Sequence, residues 1–219
     1  MSVSLWILFW WALFALSHTL IAEYRAAFIN RLGKLGYSLF YNAVSFATFI
    51  PIVGLYIQNP HGGGLLYAPP PWLQTLGMGL ATFGIALLPA ALFKASPVSM
   101  IPGNPTARGL IRITRHPLFM GFALWGLGHC LILGYTNDLL FFGGFAAFAV
   151  IGAAHQDSRK RRQDGERLGA LYAETSLLPF GAIFAGRNKL VLGEIPWLLL
   201  GIGLALAFLL YRLHPLMFG

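Results

Sequence analysis

Histidine is the side chain in this sequence best suited to hold a metal or move a proton near neutral pH, and four of the six histidines fall within or beside long apolar runs. His18 lies in the first run, His116 at the start of the fourth, His129 deep in the fourth and His155 at the end of the fifth. His61 and His214 are peripheral, and His61 reads as a solvated loop residue. Ionisable groups are costly in hydrocarbon, so each one kept there is a functional candidate. A lone histidine in a span is ordinarily satisfied by a bond to a neighbouring helix. Two deep imidazoles on different helices are also a ligand set for iron, because a bundle core is where haem is often held.

Depth can be counted along the chain. His129 stands thirteen positions beyond His116, about 20 Å at helical rise, and His18 stands thirteen before Arg31. The two share a level if the first helix continues to about Arg31. If that helix leaves the bilayer at Glu23, His18 is only about 7 Å deep. The sequence leaves both open, and a continued helix carries Glu23 and Arg25 inward, where they need a partner or a polar cavity. His116 and His155 form a rival pair near the boundary. Arg112, Arg115 and His116 gather ahead of Pro117, which suits the first turn of a helix, and free N–H groups there favour an anion such as a propionate, a lipid phosphate or a cofactor carboxylate. Trp125, one turn before His129, is placed to stack on a porphyrin.

The elements that must position these residues are membrane helices. The chain has 219 residues, 57% of them hydrophobic and only 10% charged, with a mean hydropathy of +0.69. The expected fold class is all-α, an integral membrane helical bundle forming a single transmembrane domain over 1–219. Apolar runs near 1–22, 35–57, 72–93, 117–135, 139–156 and 191–211 predict about six transmembrane helices. Residues 1–22 carry no Lys or Arg and read as a retained span rather than a signal peptide.

The net charge of +8 does not mark a nucleic-acid protein, because the basic residues sit in short connections between apolar runs. All of the 15 except Arg212 fall on one side of the six-span topology. The positive-inside rule makes that side cytoplasmic, puts both termini outside, and predicts a multi-pass protein of a bacterial inner membrane. A single cysteine, Cys130, excludes an intramolecular disulfide, and the absence of a "CxxCH" excludes the usual covalent haem attachment.

Segment 58–71 reads as a connector. The tight "YTND" link makes spans four and five an antiparallel hairpin, in which Gly121, Gly126 and Gly128 would face Gly143, Gly144, Ala147 and Gly152. Residues 157–180 begin as a helix continuing span five, and Glu194 reads as an acid favoured by the start of span six.

The stretch "RITRHPLFMGFALWGLGHCLILG", with "SHTLIAEYRAAFINRLGKLGYSLFYNAVSF" upstream and "AHQDSRKRRQDGERLGALYAETSLLPF" downstream, resembles the NnrU family across about 15–180, leaving the helix 191–211 as an addition. That family includes the plant 15-cis-zeta-carotene isomerase. The resemblance implies an association with nitric oxide and nitrite metabolism, with nitric oxide or a hydrophobic small molecule as ligand and respiratory or denitrification proteins as partners. It also implies a non-covalent haem b whose redox state controls cis–trans isomerisation of a carotenoid-like polyene. Carried over by position, the implied iron ligands are His18 and His129, with His116 and His155 as second choices and Arg112 and Arg115 near the propionates. "RHPLFMG" is also similar to a stretch of isoprenylcysteine carboxyl and phospholipid methyltransferases, which implies S-adenosylmethionine near Arg115 and His116. Their paired "EE" has no counterpart here, since the matching region opens with Asp157 and a basic run.

Overall fold

The computed structural model describes residues 2–94, 96, 98 and 105–218. Helix α1 covers Val3–Glu23, α2 Arg25–Gln58, α3 Pro71–Phe93, α4 Leu110–Ile113, α5 Pro117–Ile132, α6 Thr136–Glu174, α7 Gly181–Phe184 and α8 Trp197–Phe218, with a 3-10 turn at Leu192–Glu194. Among the described residues five helices, α1, α2, α3, α6 and α8, are long and apolar enough to cross a membrane. All six expected runs are helical, but the fourth is shorter than expected: α5 has 16 residues and ends at Ile132. It stops because the 59–70 connector docks on its end. Leu66 N–H donates to the Gly134 carbonyl at 2.8 Å, Tyr67 O–H donates to the carbonyls of Cys130 and Leu133, and a Cβ at position 134 would collide with the Tyr67 carbonyl.

The helices form a row in which α1 packs on α2 and α6, α6 on α5, α5 on α3, and α3 on α8. Small residues set the close spacings, as expected where lipid gives no hydrophobic drive between helices. Gly126 serves the α5–α6 hairpin by meeting the Phe142 backbone, and from α6 Gly152 and Gly143 face Phe119 and Cys130 of α5. Gly121 and Gly128 lie instead on Gly84 and Gly77 of α3, and Gly144 of α6 sits under the Trp11 ring of α1. Spacing on one helix cannot tell which of two neighbours a glycine serves, so the expected facing holds for Gly126, Gly143 and Gly152 and not for Gly121, Gly128 and Gly144.

Between α1 and α2 the chain reverses late. Tyr24 N–H bonds to the Leu20 carbonyl and Phe28 N–H to the Tyr24 carbonyl, both at 3.1 Å, so the first helix runs on through a bend at Tyr24. It turns at Gly33, whose φ of 72° and ψ of 171° belong to a region open essentially to glycine alone. Helix α6 likewise continues past its apolar part to a break at Asp164, and its polar arm packs Leu168, Leu171 and Tyr172 against Ile111 of α4.

Candidate functional site

Two polar constellations and one aromatic core occupy the bundle. The first lies where the chain leaves α4 for α5. Arg115 Nε and Nη2 donate to Asp157 Oδ2 at 3.1 and 2.8 Å, and His116 Nε2 donates to Oδ1 of the same carboxylate at 2.8 Å. Arg115 Nη1 donates to the Thr175 carbonyl at 2.6 Å, and its guanidinium carbon lies 4.8 Å from the centre of the Tyr172 ring. Arg115 is 5% exposed and His116 3%. A buried ion pair with its hydrogen bonds filled is a fixed joint, so the "RHP" motif here clamps the α4–α5 junction to α6.

Arg112 points elsewhere. Its Nε and Nη2 donate to Glu194 Oε2 and Oε1 at 2.8 and 3.1 Å, its Nη1 to Asn188 Oδ1 at 2.7 Å, and Gly109 N–H adds a bond to Oε2 at 2.9 Å. Arg112 and Arg115 therefore do not share an anion. Glu194, expected as a macrodipole acid of the last span, is the counter-ion of Arg112. Its carboxyl is held down at about 2, chiefly by the Arg112 hydrogen bond and then by the Gly109 N–H.

The second constellation lies at the opposite end. Asp138, fully buried at 0% exposure, accepts from Tyr56 O–H at 3.0 Å and from the His61 ring at 2.8 Å. His61 is a solvated loop residue, its side chain 52% exposed, that also clasps the connector to Asp138. Asn137 accepts from Ser4 Oγ at 2.7 Å and donates to the Asn59 carbonyl at 3.0 Å, tying the start of α1 to the same loop.

Between these ends lies the aromatic core that holds the deep histidines. His18 Nδ1 lies 3.1 Å from Ser45 Oγ, which spends its own hydrogen on the Tyr41 carbonyl at 2.8 Å. That makes His18 the Nδ1–H tautomer, with Nε2 accepting from Tyr41 O–H. His129 has the same tautomer, its Nδ1 donating to the Trp125 carbonyl at 2.8 Å. Rings join the two. His18 lies 5.1 Å from Phe14, Phe14 4.8 Å from Phe148, Phe148 6.4 Å from Trp11, and Trp11 5.1 Å from Phe145. Phe145 then lies 5.0 Å from Trp125, and Trp125 4.8 Å from His129, which stacks on Phe142 at 4.3 Å.

His18 and His129 are not brought into contact. On α6 His18 touches Phe148 and His129 touches Phe142, positions six residues or about 9 Å apart by helical rise. The first helix does continue past Glu23, yet the levels differ. His116 meets Asp157, and two residues earlier His155 meets Glu23, so the start of α5 is level with Glu23 and not with Arg31. His116 and His155, the rival pair, are separated as well: one serves Asp157, and the other has its Nε2 3.2 Å from Glu23 Oε2. Trp125 packs on Phe142 and Phe145 inside the core.

Asp157, Asp138, Tyr41, Ser45 and Glu23 are the partners that sequence reasoning missed. Asp157 carried one signal: it is an acid at the head of a basic run, where a simple stop-transfer segment needs none.

A family model described as NnrU protein matches residues 6–219, taking in the last helix as well. The chain is 26% identical to the 15-cis-zeta-carotene isomerase of Arabidopsis thaliana, covering 94% of this chain and 59% of the relative. It is 25% identical to the isomerase of the same name from Zea mays, covering 81% of this chain and 50% of that one. The chain thus spans little more than half the length of these curated relatives, both of them described as chloroplastic. No solved structure matches it.

Proposed function

Because the chain belongs to the NnrU family, we propose that it is a membrane-embedded isomerase acting on a cis double bond of an apolar, carotenoid-like polyene. The observation that carries this reading is the run of aromatic rings linking His18 to His129 through α1, α6 and α5. Such rings offer an apolar, polarisable wall that excludes water and stacks on a conjugated chain. The reading takes precedence over the nitric oxide and nitrite chemistry implied by the family name, because both curated relatives carry an isomerase name.

A non-covalent haem b belongs to the proposal, with a restriction. His129 suits an axial role: its proton is held on Nδ1 by the Trp125 carbonyl and its lone pair is on Nε2, which is how ligand histidines are usually oriented. His18 has that tautomer too, but Tyr41 occupies its Nε2. Tyr41 would have to leave His18 before both histidines could hold one iron, so His129 is the residue of the pair that would hold it in this fold. A haem held by His129 would supply redox-active iron able to lower the torsional barrier of a conjugated double bond beside it. The chain's own part is to orient the polyene and keep the site dry. Isomerisation is a torsion with no net proton or electron transfer, so the site needs no general base.

The test begins with absorbance of the purified protein, followed by incubation with a cis-carotenoid under dithionite and separation of the isomers. A Soret band and isomer conversion, both lost in His129→Ala, are expected. A band without conversion, or conversion unchanged in His129→Ala, overturns the proposal.

A further inference from the structure

Arg159 is 8% exposed and, among the described residues, has no ion-pair partner. Its Nε makes no hydrogen bond, and its Nη1 reaches only Gln163 Oε1, at a long 3.4 Å. Among the described residues the other strongly buried ionisable groups are paired: Arg115 and His116 share Asp157, and Asp138 holds His61. A guanidinium taken out of water without a counter-charge is costly, and it stays charged because it cannot be deprotonated.

Its surroundings deepen the imbalance. His155, Arg159 and Arg162 lie at i, i+4 and i+7 on one stripe of α6. The outer two approach Glu23 of α1, Arg162 donating to Oε1 at 2.6 Å and His155 Nε2 lying 3.2 Å from Oε2, an oxygen that accepts no hydrogen bond, and Glu23 makes no ion pair with Arg159. On the α2 side Tyr37 and Tyr41 lie within the field of Arg159, and the guanidinium of Arg25 sits 5.6 Å above the Tyr37 ring. Three arginines and a histidine gather here around a single acid.

We propose that Arg159 anchors a site for the oxyanion head of a membrane amphiphile, a phosphate or carboxylate, at the basic end of the seam between α1, α2 and α6. The planar guanidinium fork matches two oxygens of such a head, which a compact ammonium does not. The level is that of a headgroup, one turn beyond the apolar part of α6. The site is separate from the aromatic core and does not depend on the isomerase reading.

The full chain in a neutral detergent is titrated with phosphatidylglycerol, with phosphatidylcholine and with inorganic phosphate against chloride at equal ionic strength, following the thermal midpoint. Phosphatidylglycerol is expected to raise the midpoint and phosphatidylcholine to leave it unchanged. A rise with inorganic phosphate as well identifies a site for the free oxyanion, and a rise with phosphatidylglycerol alone identifies a lipid site. The rise is expected to vanish in Arg159→Gln and to persist in Arg31→Gln, a change at an exposed arginine of the same face. If Arg159→Gln does not fold, Arg159→Lys decides. Half-saturation weakened by about tenfold supports the fork. No rise in the wild type, a rise equal in Arg159→Gln and Arg31→Gln, or an unchanged half-saturation in Arg159→Lys overturns the proposal.

Discussion

Nε2 of His116 lies 2.8 Å from Oδ1 of Asp157, while the adjacent Arg115 holds the other oxygen of the same carboxylate. Two consecutive residues thus grip one acid from a different helix. Neighbours in an extended strand point apart, but Thr114 is extended and His116 caps α5, so the backbone turns between them and both side chains reach inward. The clamp fixes where α5 starts, and through α5 it fixes the level of His129.

Asp157→Asn removes the charge that the buried Arg115 guanidinium and His116 imidazole both hold. Breaking one partner of a buried ion pair costs about 3–5 kcal/mol, because the survivors are left uncompensated. The variant is expected to lose most of its thermal stability in detergent. A midpoint equal to that of the wild type would show that Arg115 and His116 find other partners.

The bundle was legible in the sequence because hydrophobic runs and segregated charge report on the bilayer directly. All six runs are helical, Pro117 opens α5, and the helix through residues 157–174 continues α6 as expected. The site was less legible, since the sequence offers both Glu23 and Arg31 as the level at which the first helix leaves the bilayer and does not choose between them. Glu23, an acid that a continued helix carries inward, meets Arg162 and His155, which are more than 130 residues away in the chain. Pairings of that range leave no periodic trace, and the same holds for Asp138 with His61 and Glu194 with Arg112.

Gly33→Ala tests the late reversal of α1 into α2. No atom lies within 4 Å of the Cβ it would add, so the penalty is purely one of backbone conformation. A non-glycine residue held in that region costs about 1–3 kcal/mol. Gly79, in α3 with equally open space and ordinary helical geometry, is the control, and Gly79→Ala is expected to leave the thermal midpoint unchanged or slightly raised. Equal behaviour of the two variants would count against a strained turn at position 33.

His61→Ala tests the clasp at the other end. Asp138 keeps its Tyr56 bond but loses the imidazole, a charge-assisted contact worth about 1.5–3 kcal/mol. The 59–70 connector is expected to open, so its glycine-rich part becomes sensitive to limited proteolysis while the helices remain intact. An unaltered digestion pattern would mean that the remaining bonds, Leu66–Gly134, Thr136–Gly64, Asn137–Gly62 and Asn137–Asn59 among them, hold the loop without the imidazole.

The Arg112–Glu194 contact sets a pH dependence whose sign follows from the direction of the shift. The Glu194 carboxyl sits at about 2 instead of its ordinary 4.5, so the fold favours the ionised form. A depressed acid contributes stability that is fully present above its unfolded value and is lost as pH falls through the folded one. The difference in thermal midpoint between wild type and Glu194→Gln is therefore expected to be constant from about pH 8 down to pH 5, to shrink below about 4.5, and to vanish near 2. Because the carboxylate faces solvent, that difference should also contract in about 0.5 M salt. A gap that widens as pH falls would mean that the protonated acid, and not the Arg112 ion pair, holds α4 against the entry to α8.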